Sequence, residues 1–137
     1  MFSRSFCILV LIGGLIVATS FVVGLFLGVG TWESWWIANF LHFLGGGYAF
    51  FFVRALFNLA KTRHKILVPR WMGLAILVGG ALVLGVFWEW FEFILDRYRV
   101  FILEEPSLMT YADNIGDLII DFLGALMVGV YLYAKQK

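Results

Sequence analysis

Residues 71–95 read WMGLAILVGGALVLGVFWEWFEFIL, and this stretch decides the fold. From Trp71 to Trp88 no side chain carries a charge. The run also reaches the roughly 20 residues that a helix needs to cross a hydrocarbon core about 30 Å thick. Period-two alternation is absent, and the run is too long for a barrel strand. Three more stretches of the same kind lie outward from it, at about 6–30, 37–60 and 114–134. The expected fold class is therefore all-α: a compact bundle of four transmembrane helices forming a single domain over 1–137. Loops at 31–36 and 96–113 face outward, a basic loop at 61–70 faces the cytoplasm, and none has room for a soluble domain.

Composition supports this reading. Of 137 residues, 63% are hydrophobic, 19% aromatic and only 14% charged. A soluble chain is about 45–50% apolar and about 25% charged. A chain this small has too little interior to hide the excess, so lipid is its solvent. A water-soluble enzyme, a nucleic-acid reader and a disordered linker are excluded. Ten Lys and Arg against nine Asp and Glu leave a formal charge of +1, which gives no sign of a nucleic-acid partner. The single cysteine, Cys7, rules out a disulfide within the chain and reads as a small hydrophobe. Arg4 before an apolar run resembles a signal peptide. That run is far longer than a signal core and lacks a clean cleavage site, so a retained first helix is expected.

The bases orient the bundle. Arg4, Arg54, Lys61, Arg63, Lys65, Arg70, Lys135 and Lys137 all fall on one side, which the positive-inside rule makes cytoplasmic, with both termini inside. Arg97 and Arg99 are the exceptions. The nine acids all lie on the opposite side, in outer loops or the outer halves of helices. Trp32, Trp35, Trp36, Trp88 and Trp90 read as an outer interfacial belt and Trp71 as the inner anchor. The expected location is the inner or plasma membrane, as a multi-pass protein.

Helical spacing gathers the acids. Glu89, Glu92 and Asp96 stand at i, i+3 and i+7, and Asp113, Asp117 and Asp121 at i, i+4 and i+8, so each set occupies one face. Asn39, His42 and Gly46 form a matching stripe on the second helix. Ionisable groups at membrane depth are costly and face a bundle interior or a wet cavity. Crowded carboxylates also repel, so protons, the guanidinium groups of Arg97 and Arg99, or a bound cation must neutralise them. The expected ligand set for a cation is His42, Glu89, Glu92, Asp117 and Asp121. Asn39, Asp96, Asp113, Arg97 and Arg99 are expected to support it from the rim, with Asp113 also capping the last helix. Magnesium, calcium or manganese suits such a carboxylate-rich set better than zinc, and no zinc motif such as His-Glu-x-x-His is present. A buried ion-pair network holding the bundle together is the competing reading of the same residues.

Other features are weaker. Gly45-Gly46-Gly47, Gly79-Gly80, Gly124 and Gly129 permit close helix approach, and none belongs to a phosphate loop. Arg54 snorkels to phosphates, and His64 is solvated in the basic loop. The connection that includes Arg97-Tyr98-Arg99-Val100-Phe101 mixes bases with apolar side chains, which suits the membrane surface or a lid over the acidic pocket.

The polar residues resemble those of the VanZ-like superfamily, and most closely its YjdF-like inner-membrane relatives. The resemblance rests on His42-Phe43, Trp88-Glu89-Trp90-Phe91-Glu92, and Asp117-Leu118-Ile119-Ile120-Asp121-Phe122-Leu123-Gly124-Ala125, and it spans roughly residues 38–130. Ala38-Asn39-Phe40-Leu41 replaces the acid–base pair that often precedes the histidine in VanZ-like proteins. The resemblance implies a small multi-helix membrane protein, with cell-surface change as the theme of some VanZ-like members.

Three functions fit these residues. The first is a divalent-cation pocket near the outer leaflet that binds or modifies a lipid or lipid-linked headgroup. An enzymatic form would be a metal-dependent hydrolase or transferase, with His42 and Glu92 as catalytic residues. The second is a cation or proton transporter or ion-binding protein, which four helices would support as a homodimer with its pathway between subunits. The third is a structural or accessory subunit whose polar stripe pairs with a partner. Membrane lipids are the expected partners throughout.

Overall fold

Lipid offers backbone amides no partner, and a helix satisfies its own within one segment. A computed structural model describes residues 4–27, 32–65 and 67–135. They form α1 (Arg4–Leu27), α2 (Trp32–His64), α3 (Arg70–Ile102) and α4 (Tyr111–Lys135), with no strand among the described residues. α2, α3 and α4 are each long and apolar enough to span a membrane, and the chain is a multi-pass membrane protein. α1 has 24 residues and carries no charge after Arg4.

The helices overrun the expected limits. α2 and α3 each have 33 residues, and at 1.5 Å per residue each is about 50 Å long, well beyond the hydrocarbon core. Residues 32–36 are helical rather than loop, as are 61–64 and 96–102, and α4 starts at Tyr111. The apolar run records the thickness of the lipid, and the helix continues into the headgroup zone for as long as its backbone bonds are satisfied. Lys61, Arg63 and His64 sit in the last turn of α2, where positive charge meets the negative pole of the helix.

Local chemistry sets the ends. Lys65 takes a left-handed φ of 51° just after α2, and Pro69 precedes α3. At the end of α3, the Arg99 carbonyl accepts from the N–H groups of Leu103 (3.0 Å) and Glu105 (3.3 Å), while Glu104 turns left-handed at φ 57°. The Arg99 guanidinium pairs with the Glu105 carboxylate and ties the same turn a second time. Asp113 does not cap α4. The cap is Thr110, whose Oγ1 accepts from the Asp113 N–H (3.2 Å) and donates to the Asp113 carboxylate (2.5 Å). Asp113, three residues into the helix, thus returns to the cap through the Thr110 hydroxyl rather than through the backbone N–H of a full capping box.

α2, α3 and α4 pack against one another, while α1 touches α2 alone among the described residues. Phe50, Ala81 and Ala125 form the apolar core with Ala49 and Val78. Small residues let α2 and α4 approach backbone to backbone: a methyl group at Gly124 would fall on the Phe43 carbonyl, and one at Gly46 on that of Asp121. Large apolar side chains such as Leu11, Phe40, Leu59 and Phe87 are exposed. Cys7 is exposed on α1 as well. The rings of Trp32 and Trp35 stack 5.3 Å apart, with Trp36 edge-on to Trp35 at 5.0 Å. α2, α3 and α4 alternate in direction along the chain, so the start of α2, the end of α3 and the start of α4 share one end of the bundle. The polar residues lie in that half.

Candidate metal-binding centre

His42 projects from α2 into the space between α3 and α4 and is buried. Its two ring nitrogens face different pairs of carboxylates. Nδ1 lies 3.5 Å from Asp121 Oδ1 and 3.9 Å from Glu89 Oε1. Nε2 lies 3.7 Å from Asp117 Oδ2 and 3.9 Å from Glu92 Oε2. The stripes on α3 and α4 therefore converge on one imidazole, as their spacing requires.

The two sides of the ring also differ in exposure. Glu89 and Asp121 are buried, whereas the side chains of Glu92 and Asp117 are 33% and 21% exposed. Glu92 and Asp117 are also nearer the loop at 103–110. The centre is closed toward the apolar core and open toward that loop.

Charge balance is the main problem at this site. Four ionised carboxylates around one imidazole, even a protonated one, leave a net negative charge inside the bundle. No Lys or Arg pairs with any of the four among the described residues. The guanidinium groups expected to neutralise them are engaged elsewhere. Arg97 binds Asp96 (2.6 Å) and donates to Ser107 Oγ (2.8 Å), and Arg99 pairs with Glu105. Both carboxylate oxygens of Glu89 are buried with no hydrogen-bond partner. Such a group carries its full desolvation penalty unless something positive approaches it.

The geometry suits a cation. One donor atom each from His42, Glu89, Glu92 and Asp117 lies within 4.8 Å of all the others. Oxygen ligands on opposite sides of a magnesium or calcium ion are about 4 to 5 Å apart. This buried His, Glu, Glu and Asp cluster is able to coordinate a metal ion. Asp121 stands outside that mutually close group and faces Nδ1, as Glu89 does.

The residues expected at the rim do other work. The Asn39 amide turns back to the Trp35 carbonyl of its own helix (2.7 Å). Asp96 is buried and accepts from Arg97, from Ser107 Oγ (2.7 Å) and from the Leu108 N–H (2.9 Å). Asp113 belongs to the Thr110 cap. Asp96, Asp113, Arg97 and Arg99 thus shape helix ends and the 103–110 loop, Asn39 bonds within α2, and none of the five has a hydrogen bond or ion pair to the cluster residues. Ser107 and Thr110 went unnoticed in the sequence, although Thr110-x-x-Asp113 is a readable capping signature. Gly85 was missed too. It precedes Glu89 by one helical turn, and a methyl group there would lie 2.7 Å from Asp121 Oδ2.

Residues 2–137 match the family described as "Predicted membrane protein (DUF2238)", and the chain belongs to it. This distinct family replaces the VanZ-like, YjdF-like assignment suggested by the short motifs. No curated protein and no solved structure matches the chain.

Proposed function

We propose that this protein holds a divalent cation between α2, α3 and α4, with His42, Glu89, Glu92 and Asp117 as ligands, and presents it to the headgroup of a membrane lipid or lipid-linked molecule. The observation that carries the reading is Glu89: a buried carboxylate without a donor, beside three more donor atoms at ligand spacing. Three carboxylates and one imidazole favour magnesium, calcium or manganese over zinc. A buried ion-pair network alone would leave the Glu89 oxygens unanswered. A transmembrane relay lacks carriers, since α2, α3 and α4 have no carboxylate in the half beyond Asp121.

The segregation of bases and acids supports a cytoplasmic-membrane orientation with both termini and the 65–69 connection inside and α1 as a fourth crossing. The cation then lies in the outer-leaflet half, open toward the outside at Glu92 and Asp117. A bound cation there supplies charge neutralisation for an anionic oxygen and acidifies a coordinated water. Glu92 is the most exposed of the ligands and is the group placed to exchange a proton with a bound headgroup, while His42 serves as ligand.

Metal analysis of the full chain purified in detergent tests the reading. About one manganese per chain is expected after equilibration with manganese and desalting, and less than a tenth of that for Glu89→Gln and Asp117→Asn. Wild type without stoichiometric metal would overturn the reading, and loss of stability in the same variants would then make the ion-pair network the correct one.

A further inference from the structure

We propose that Asp121 is a positioning residue rather than a ligand: it accepts the Nδ1–H of His42 and so aims Nε2 at the cation. The inference rests on the metal reading above and assigns the buried carboxylate that the ligand group leaves over. Of the approaches to His42, that of Asp121 Oδ1 to Nδ1 is the shortest, at 3.5 Å. The opposite nitrogen faces Asp117 and Glu92, the exposed pair through which the centre opens. The ring thus has a closed side on which Asp121 makes the nearest approach, and an open side that faces two of the proposed ligands.

Asp121 is also buried against glycines of two neighbouring helices. A methyl group at Gly85 of α3 would lie 2.7 Å from Oδ2, and one at Gly45 of α2 would lie 3.8 Å from Oδ1. A methyl group at Gly46 of α2 would fall on the Asp121 carbonyl. Glycines from two helices therefore make room for this residue at its side chain and its backbone, beside Nδ1. Glu89, the other group near Nδ1, is farther away, and its oxygens remain unpartnered for coordination. Metal-bound histidines characteristically donate their second ring N–H to a carboxylate, which fixes both tautomer and ring orientation.

The test uses the full chain with His64→Gln, which leaves His42 as the only histidine. The imidazole nitrogens are isotope-labelled, and the protein is loaded with an NMR-active cadmium isotope. The expected spectrum shows cadmium coupling at Nε2 and a proton on Nδ1. Asp121→Asn keeps the shape but presents amide hydrogens to Nδ1 and favours a proton on Nε2. Cadmium affinity should then fall roughly 10- to 100-fold, with the Nδ1 proton signal lost. Coupling at Nδ1 in the parent protein overturns the inference without any variant and leaves the metal reading standing. An Asp121→Asn protein with unchanged affinity and tautomer overturns it as well. Failure of cadmium to bind the parent protein at all overturns the metal reading and this inference together.

Discussion

At the scale of single residues, Glu89 sets a conflict between folding and binding. Its two oxygens are buried without a donor, in a site that already holds three other carboxylates. Glu89→Gln removes one negative charge and brings two amide hydrogens to face the remaining acids. In the metal-free state the variant should therefore be more stable than wild type, by roughly 1–3 kcal/mol. Saturating manganese should reverse the order, because only wild type gains the stabilisation of a bound ion, about 2.7 kcal/mol at a hundredfold excess over Kd. Thermal unfolding in detergent, with chelator and then with manganese, reads both signs. Equal shifts in the two proteins would mean that Glu89 is not a ligand. The sequence exposed this residue because i, i+3 and i+4 spacing puts acids on one face whatever the packing. Spacing cannot tell which ring nitrogen of His42 meets which carboxylate. It also hides the role of Gly85, because a glycine reports its neighbour only once two helices are docked.

At the scale of elements, the loop from 103 to 110 depends on one buried acid. Asp96 joins the last turns of α3 to the loop by accepting from Arg97, Ser107 and the Leu108 amide. Asp96→Ala strands a guanidinium and a backbone N–H, at a cost of roughly 2–4 kcal/mol. Ser107→Ala leaves the carboxylate its other two partners and should cost about 1 kcal/mol. Limited proteolysis should find the loop cut much faster in Asp96→Ala and little changed in Ser107→Ala. Equal cutting in wild type and Asp96→Ala would remove the loop's dependence on this residue. Here the sequence misled about limits rather than about the existence of helices. Asp96 reads as the start of a loop because charge ends the apolar run, yet α3 continues to Ile102. Its amides still find carbonyls beyond the hydrocarbon, and the helix stops only where Glu104 turns left-handed.

At the scale of the whole molecule, the apolar fraction alone makes lipid the solvent, and helices follow because the apolar runs are too long for barrel strands, the other way to satisfy the backbone there. Family membership was less legible. The motif pieces are a few residues each, and any bundle that lines a polar site with acids at helical spacing will reproduce them. Charge segregation goes further than either, because it gives the site a direction. Seven of the ten Lys and Arg fall at or beyond the ends of the helices away from the acids, and Arg54 lies in the same half of α2. The exposed ligands, Glu92 and Asp117, lie toward the 103–110 loop, and the core of Phe50, Ala81 and Ala125 closes the other side. A cation that enters from water should therefore do so from the face opposite the bases. In right-side-out vesicles loaded with manganese, a membrane-impermeant chelator added outside should strip the protein within minutes. In inside-out vesicles the same chelator should leave most of the metal bound, since its route is blocked by an apolar core and by the bilayer. Impermeant thiol labelling supplies the orientation independently: in a Cys7→Ser background, Glu104→Cys should react from outside and Lys65→Cys only after permeabilisation. Equal stripping from both faces would mean that the centre opens through the bundle, as a transport pathway requires. Stripping only from the face that bears Lys65 would reverse the orientation that the basic residues assign.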